Sequence, residues 1–178
     1  AIAEVESDGR ALFDISGGKE PAIRFEGHYF DRRLSGRVRD QARKAGLSSP
    51  EAGRVRNPKT QSERWLLLER AMFIHKKAAL ESTSWGLGQV MGAHWQWLGY
   101  ATVDELVAEA RGSVAGQARL MLRFIEKAEL LDVLKARNWS EFARRYNGPA
   151  FARNEYDKRM AEAFQRWQKQ LDSSKRAA

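Results

Sequence analysis

Apolar residues recur at helical spacing along most of the chain. The pattern predicts a long helix over 62–80, a second over 113–136 and a last helix over 151–171. Shorter helices are predicted over 1–6, over 84–97 with Ser84 as its cap, from the capping box at 102–105, and from Ser140. The apolar positions on the three long helices are Trp65, Leu66, Leu68, Met72, Phe73, Ala79, Leu120, Phe124, Leu131, Leu134 and Phe151.

The helical pattern is interrupted in the first third of the chain. Ser16 to Gly18 form a turn signal, and the stretch 22–26 alternates apolar and polar residues, so we expect a small β-hairpin within 11–29. Residues 31–58 are polar and punctuated by glycine and proline, which predicts an irregular insertion with one short helix. Residues 172–178 form a basic tail. The predicted fold is a single α+β domain that is predominantly α-helical.

The composition and charge of the chain limit the classes of function that it can have. The 178 residues carry a net charge of +8, which favours anionic partners such as nucleic acid, anionic lipid or the bacterial cell wall. We expect no nucleic-acid partner, because no nucleic-acid-binding motif is present, and no stable membrane insertion, because no apolar run approaches the ~20 residues of a span. Cysteine is absent, which excludes thiolate chemistry, and the three histidines lack metal-ligand spacing, so we expect no metal and no cofactor.

Four short motifs, far apart in sequence, carry a resemblance to a known family. They are Val5-Glu6-Ser7, Phe25 to His28, Ser84 to Gly92, and Tyr146 to Pro149. Together, over about residues 1–156, they resemble the N-acetylmuramidase domain of phage endolysins and some cell-wall-lytic effectors, within the lysozyme-like superfamily. The resemblance implies a lysozyme-like fold with a groove between two lobes. Because the chain opens within a predicted helix and lacks an initial Met, we also expect a domain excised from a longer protein.

Glu6 is the candidate general acid. Cleavage of a glycosidic bond needs a proton for the leaving oxygen, so the carboxyl must remain protonated near neutral pH, which an apolar setting allows. The resemblance places the Glu of the Glu-Ser pair in the groove. Glu26 is the candidate second carboxylate, on the presumed hairpin and on the same strand face as His28. Asp8, Asp14 and Glu81 remain alternatives for the second group, and Glu81 is also a rival for the acid.

The resemblance also implies a set of substrate-binding residues. In the family the middle motif begins a helix, and the Tyr-Asn pair closes the far side of the groove. The chain departs from the usual pattern at Gly88, where a bulkier residue is common, and we expect this glycine to widen the groove. The candidate substrate-binding residues are Ser84, Gly86, Gln89, Tyr146 and Asn147.

The sequence therefore predicts a muramidase that cleaves the β-1,4 bond between N-acetylmuramic acid and N-acetylglucosamine. Two alternatives stay open: a lytic transglycosylase that forms anhydro-muropeptides, and a non-enzymatic basic module that binds cell wall or nucleic acid. The expected partner is the peptidoglycan glycan strand, with an immunity protein in addition if the chain is an effector. The expected place of action is the cell wall, in the periplasm or outside the cell, after delivery by phage lysis or by a secretion system.

Overall fold

The fold is helical with two small antiparallel sheets, in a computed structural model that describes residues 1–149 and 151–176. A 3₁₀ turn at Gly92–His94 precedes α5, and another at Phe151–Asn154 precedes α9. The elements are α1 Ile2–Ser7, β1 Phe13–Ile15, β2 Gly18–Glu20, β3 Ile23–Phe25, α2 Gly27–Arg33, α3 Gly36–Lys44, α4 Gln61–Glu81, β4 Thr83–Trp85, β5 Val90–Met91, α5 Val103–Gly112, α6 Val114–Lys127, α7 Leu131–Lys135, α8 Trp139–Asn147 and α9 Tyr156–Arg176.

The predicted α+β class is confirmed, but the strands pair differently from the expected hairpin. Strands β1 and β2 form that hairpin, whereas β3 joins β4 and β5 in a separate sheet. The predicted helix over 84–97 is wrong, and Ser84 lies in strand β4 rather than at a helix cap. The chain reverses between β4 and β5 because Gly86 and Gln89 have positive φ angles of 67° and 47°, which a helix does not accommodate.

Two apolar clusters divide the described chain into lobes. The larger cluster joins α4 and α5 to the three-stranded sheet, with Phe25, Phe30, Leu68 and Trp85 fully buried. The smaller cluster joins α1 to the end of α6, to α8 and to α9. Helix α4 begins at a capping box between Thr60 and Glu63, which was not predicted from the sequence. Its backbone is kinked at His75.

Three predicted segments change in detail. The helix expected over 113–136 is two helices, because Glu129 takes a left-handed conformation with φ of 55° after α6. The irregular insertion over 31–58 contains the end of α2 and all of α3, which are joined by an ion pair at 2.7 Å between the buried Asp31 and the exposed Arg43. The basic tail is helical as far as Arg176, and residues 177–178 of that prediction lie outside the described part of the chain.

Candidate active site

A groove with two arms runs between the lobes. The hairpin arm, of about 540 Å³, extends towards β1 and the start of α4. The helical arm, of about 730 Å³, extends towards α8 and α9. Both arms are lined by Glu6, Asp8, Arg64 and Gln89, so they meet at these four side chains.

Helix α1 carries Glu6 to the meeting point of the arms. Ile2 and Val5 are buried against the smaller apolar cluster, which fixes the opposite face of this short helix. Asp8 ends the helix in the left-handed conformation, with φ of 52°. The Ser7 hydroxyl donates to the Ala3 carbonyl at 2.8 Å and lies 3.3 Å from the Leu87 carbonyl, which connects α1 to the β4–β5 turn.

Burial dominates the electrostatics of Glu6. It raises the pKa of the carboxyl from 4.5 to about 7, although the hydrogen bond from Asn147 and the positive charge of Arg159 both oppose this change. The Asn147 Nδ2 atom donates to Glu6 Oε1 at 2.6 Å. No described protein group hydrogen-bonds the second oxygen, Oε2. Glu6 therefore combines a held orientation with a proton that remains bound near neutral pH.

The Tyr-Asn pair lies at the end of α8, next to the acid. The Tyr146 hydroxyl donates to the Gly88 carbonyl at 2.7 Å, and its ring stacks on Phe142 at 5.2 Å. Burial, with a contribution from Glu6, raises the Tyr146 pKa well above 10, so this hydroxyl keeps its proton. Tyr146 thus fixes the β4–β5 turn, and Asn147 fixes the acid.

The β4–β5 turn places Gln89 in the wall of both arms. Gln89 Nε2 donates to the Gly86 carbonyl at 2.9 Å, and Gln89 Oε1 accepts from the Ser84 hydroxyl at 3.2 Å. The Leu87 N–H donates to Gln117 Oε1 at 3.1 Å, while Gln117 Nε2 donates to the Ala11 carbonyl at 2.9 Å. The polar groups of this wall are largely satisfied by the protein itself, so the turn is a rigid surface for a ligand.

The two glycines of the turn serve packing. Gly86 does not line either arm, and a Cβ there would meet the Gln117 side chain at 3.0 Å. At Gly88 a Cβ would lie 2.6 Å from Met121 and 2.8 Å from the Tyr146 hydroxyl oxygen. Gly88 therefore does not widen the groove as expected. It allows Tyr146 to approach the turn.

Glu26 and Glu6 line the same helical arm. Glu26 is the N-cap of α2, and its Oε1 accepts from Arg24 Nε at 2.8 Å. The His28 Nδ1 atom lies 3.5 Å from Glu26 Oε2. The expectation that Glu26 and His28 share a strand face is wrong, because the strand ends at Phe25 and the two residues meet across the first turn of a helix.

The alternative carboxylates, Glu81, Asp8 and Asp14, lie at different places relative to the groove. Glu81 accepts a hydrogen bond from Trp95 Nε1 at 2.8 Å and contacts Lys77, and it lines neither arm. Burial alone would raise the pKa of Glu81, but hydrogen bonds from Lys77 and Trp95 and the charge of Arg33 lower it below 4.5. Glu81 is therefore a poor proton donor. Asp8 lines both arms, whereas Asp14 lines the hairpin arm and pairs with Lys19 at 2.6 Å.

Sequence reasoning missed three groove residues. Arg159 on α9 donates to the Val5 carbonyl at 3.2 Å and lines the helical arm with Tyr156. Arg64 on α4 lines both arms. These residues lie outside the four motifs, and an arginine on a polar helix face gives no signal of its own. Only the packing of α4 and α9 brings them to the acid.

Neither a membrane span nor a metal cluster is found in the described residues. No helix among them combines the length and the apolar character that crossing a bilayer requires. Within residues 1–149 and 151–176, no three His, Asp or Glu side chains are grouped to hold a metal ion.

Comparison with known proteins agrees with the fold. The solved structure of the Burkholderia AP3 phage endolysin is similar to this chain, with a TM-score of 0.78 and 35% identity over 94% of the chain. The match covers 63% of that endolysin, so this chain spans less than two thirds of its length. Among curated proteins no significant match is found. The family model of N-acetylmuramidase matches residues 1–168, and the chain therefore belongs to the N-acetylmuramidase family.

Proposed function

We propose that the chain is a peptidoglycan hydrolase that cleaves the β-1,4 bond between N-acetylmuramic acid and N-acetylglucosamine. Membership of the muramidase family and likeness to a phage endolysin support the reaction class. The observation that carries the proposal is Glu6. Its carboxyl lies where the two arms of the groove meet, and burial keeps it protonated up to about pH 7.

In this proposal Glu6 is the general acid. Its Oε2 carries the proton to the glycosidic oxygen, while Oε1 stays bound to Asn147 and keeps the carboxyl in one orientation. Asn147 is thus a positioning residue more than a sugar ligand. Ser84, Gln89 and Tyr146 support the wall against which the glycan lies, and Gly86 permits the packing behind it.

Glu26 is proposed to activate the attacking water. It lines the same arm as Glu6 and accepts a hydrogen bond from Arg24 Nε at 2.8 Å, which orients its carboxylate in the groove. In a lytic transglycosylase the substrate's own hydroxyl would replace the water, and Glu26 would serve only to hold Arg24 and His28. The Glu26→Gln variant separates the two roles: with water as nucleophile, turnover falls strongly and the wild-type products are reducing-end sugars.

Lysis of purified peptidoglycan, followed by turbidity, tests the assignment of the acid. Glu6→Gln keeps the shape of the side chain but removes the acidic proton, so the rate is expected to fall about 10²-fold or more. The matched control is Glu69→Gln, which changes an exposed carboxylate on α4 and should leave the rate unchanged. Mass spectrometry of the products distinguishes reducing ends from anhydro-sugars. A Glu6→Gln variant with wild-type activity and a native circular dichroism spectrum would refute the proposal.

This function implies action at the cell wall. Peptidoglycan lies in the periplasm or on the cell exterior, and a net charge of +8 suits attachment to its acidic groups. The likeness to a phage endolysin favours delivery during phage lysis over delivery by a secretion system. We therefore infer a role in opening the wall of a bacterial host.

A further inference from the structure

Arg64 is a cation at the centre of the groove, and within residues 1–149 and 151–176 it has no partner carboxylate. Its Nε donates to the Pro58 carbonyl at 2.8 Å and its Nη1 lies 3.4 Å from the Ile23 carbonyl. These backbone bonds hold the guanidinium in place and leave Nη2 without a protein acceptor in the described chain. Two other arginines of this lobe differ from it in having carboxylate partners, since Arg24 pairs with Glu26 and Arg43 pairs with Asp31.

Among the described residues, no neighbouring carboxylate balances the positive charge of Arg64. Burial is the larger cause that lowers the pKa of Arg64, and repulsion from the charge of Arg24 is the smaller one. In the hairpin arm, Arg10 and Lys59 add further positive charge. The carboxylates there besides Glu6 are Asp8 and Asp14, and Asp14 is already paired with Lys19. A fixed, partly desolvated guanidinium with spare donors is suited to bind an oxyanion.

We propose that Arg64 binds a carboxylate of the substrate on the muramic acid residue whose glycosidic bond is cleaved. The inference rests on the proposed function and adds the recognition of charge to it. Bond cleavage occurs at C1 of muramic acid, and the lactyl group is attached at C3 of the same ring. A carboxylate on that group therefore lies within one sugar ring of the bond that Glu6 would protonate. Arg64 lies at a comparable place in the protein, because it lines the same groove as Glu6 without contacting it.

Two parts of the substrate carry such a carboxylate. In a glycan stripped of peptides the lactyl group ends in a free carboxylate. In intact peptidoglycan that group is an amide, and the carboxylates belong to the stem peptide that follows. Arg64 would recognise a carboxylate in both cases. Substrates that carry only the lactyl carboxylate or only the stem-peptide carboxylates are therefore needed to distinguish the two sources.

The test compares cleavage of matched glycans by the wild type and by Arg64→Gln. Peptide-stripped glycan is used as such and after conversion of its lactyl carboxyls to neutral amides, and kcat/KM is measured from the soluble sugars released. The wild type is expected to prefer the charged glycan by about tenfold to a hundredfold, as for a charge-assisted hydrogen bond. Arg64→Gln should lose this preference through KM, so that its kcat/KM for the charged glycan approaches its own value for the neutral glycan. Arg64→Lys should retain part of it.

Arg70→Gln is the matched control, because Arg70 lies on the same helix, donates to the Ala45 carbonyl at 3.1 Å and is outside the groove. It should keep the preference. For each variant, kcat/KM on the charged glycan is divided by kcat/KM on the neutral glycan, so any loss of folded enzyme cancels.

Three outcomes decide the inference. A loss confined to intact peptidoglycan, and removed when the stem carboxyls are amidated, would support recognition by Arg64 and assign the carboxylate to the stem peptide. A wild type that shows no preference for the charged substrate, either between the two stripped glycans or between intact peptidoglycan and its amidated form, would overturn the inference and leave the proposed function in place. A wild type that cleaves none of these substrates would overturn both.

Discussion

Replacing Glu6 by glutamine is expected to stabilise the protein above pH 7 while it removes activity. The native state holds the Glu6 proton with a pKa of about 7, compared with 4.5 for an ordinary glutamate. Because this pKa is raised, the native state binds more protons than the unfolded state between pH 4.5 and 7. The free energy of unfolding therefore falls as the pH rises through this window and levels off above pH 7.

The magnitude follows from the two pKa values. At 1.36 kcal/mol for each pH unit, the interval from 4.5 to about 7 corresponds to about 3 kcal/mol. Glutamine is uncharged at every pH and can still accept the hydrogen bond from Asn147. The variant should therefore gain about 3 kcal/mol over the wild type between pH 4 and pH 8, or about 6–12 °C in Tm for a chain of this size.

Urea unfolding of both proteins at pH 4, 6 and 8 measures this difference. Glu69→Gln, an exposed change on α4, is the control and should show the same difference at each pH. If the stability difference between Glu6→Gln and the wild type is the same at pH 4 and pH 8, then burial does not disfavour the Glu6 carboxylate, and the reasoning behind the acid is refuted.

Three further predictions concern the surroundings of the acid. Asn147→Ala removes a hydrogen bond that lowers the pKa of Glu6, so the alkaline limb of the kcat profile should move to higher pH, and an unmoved limb would contradict this role. Gly88→Ala forces a methyl group against Met121 and the Tyr146 hydroxyl and should cost about 1–3 kcal/mol of stability in thermal unfolding, whereas an unchanged Tm would mean that the turn relaxes easily. Because the net charge is +8, lysis of whole walls should slow as salt rises, while cleavage of a short neutral glycan should not, and an equal response of both substrates would exclude charge-based capture.

The main helices and the location of Glu6 in the groove could be predicted from the sequence. Helix α4 lies where the spacing of its apolar residues predicts a helix, although Leu66 and Phe73 of that pattern are exposed, and α1 ends close to the expected Asp8-Gly9 stop. The resemblance placed the Glu-Ser and Tyr-Asn motifs at one groove, with the Tyr-Asn pair on its far side, whereas the structure joins Asn147 directly to Glu6 by a hydrogen bond. Spacing alone would not have joined residues so distant in sequence.

The β4–β5 turn could not be predicted in this way. Nearly all residues from Ser84 to Val90 are buried, so the segment shows no contrast between an apolar and a polar face from which a period could be read. The family motif suggested a helix start, whereas the positive φ of Gln89 requires a turn. Arg64 and Arg159 were missed for a different reason: their function depends on which helices pack together, which a local pattern does not contain.

The contacts that hold helix α1 have a consequence for the order of folding. Glu6 is fixed by Asn147, and the same helix is held through Val5 by Arg159 and through Glu4 by Arg166, across 141, 154 and 162 residues of chain. The larger apolar cluster uses only residues from Phe13 to Phe124 and needs none of these contacts. Contacts between such distant residues form slowly, because a long loop must close first. The main core can therefore assemble while α1, which carries Glu6, is still unattached, and the proposed active site is complete only when α9 docks onto α1.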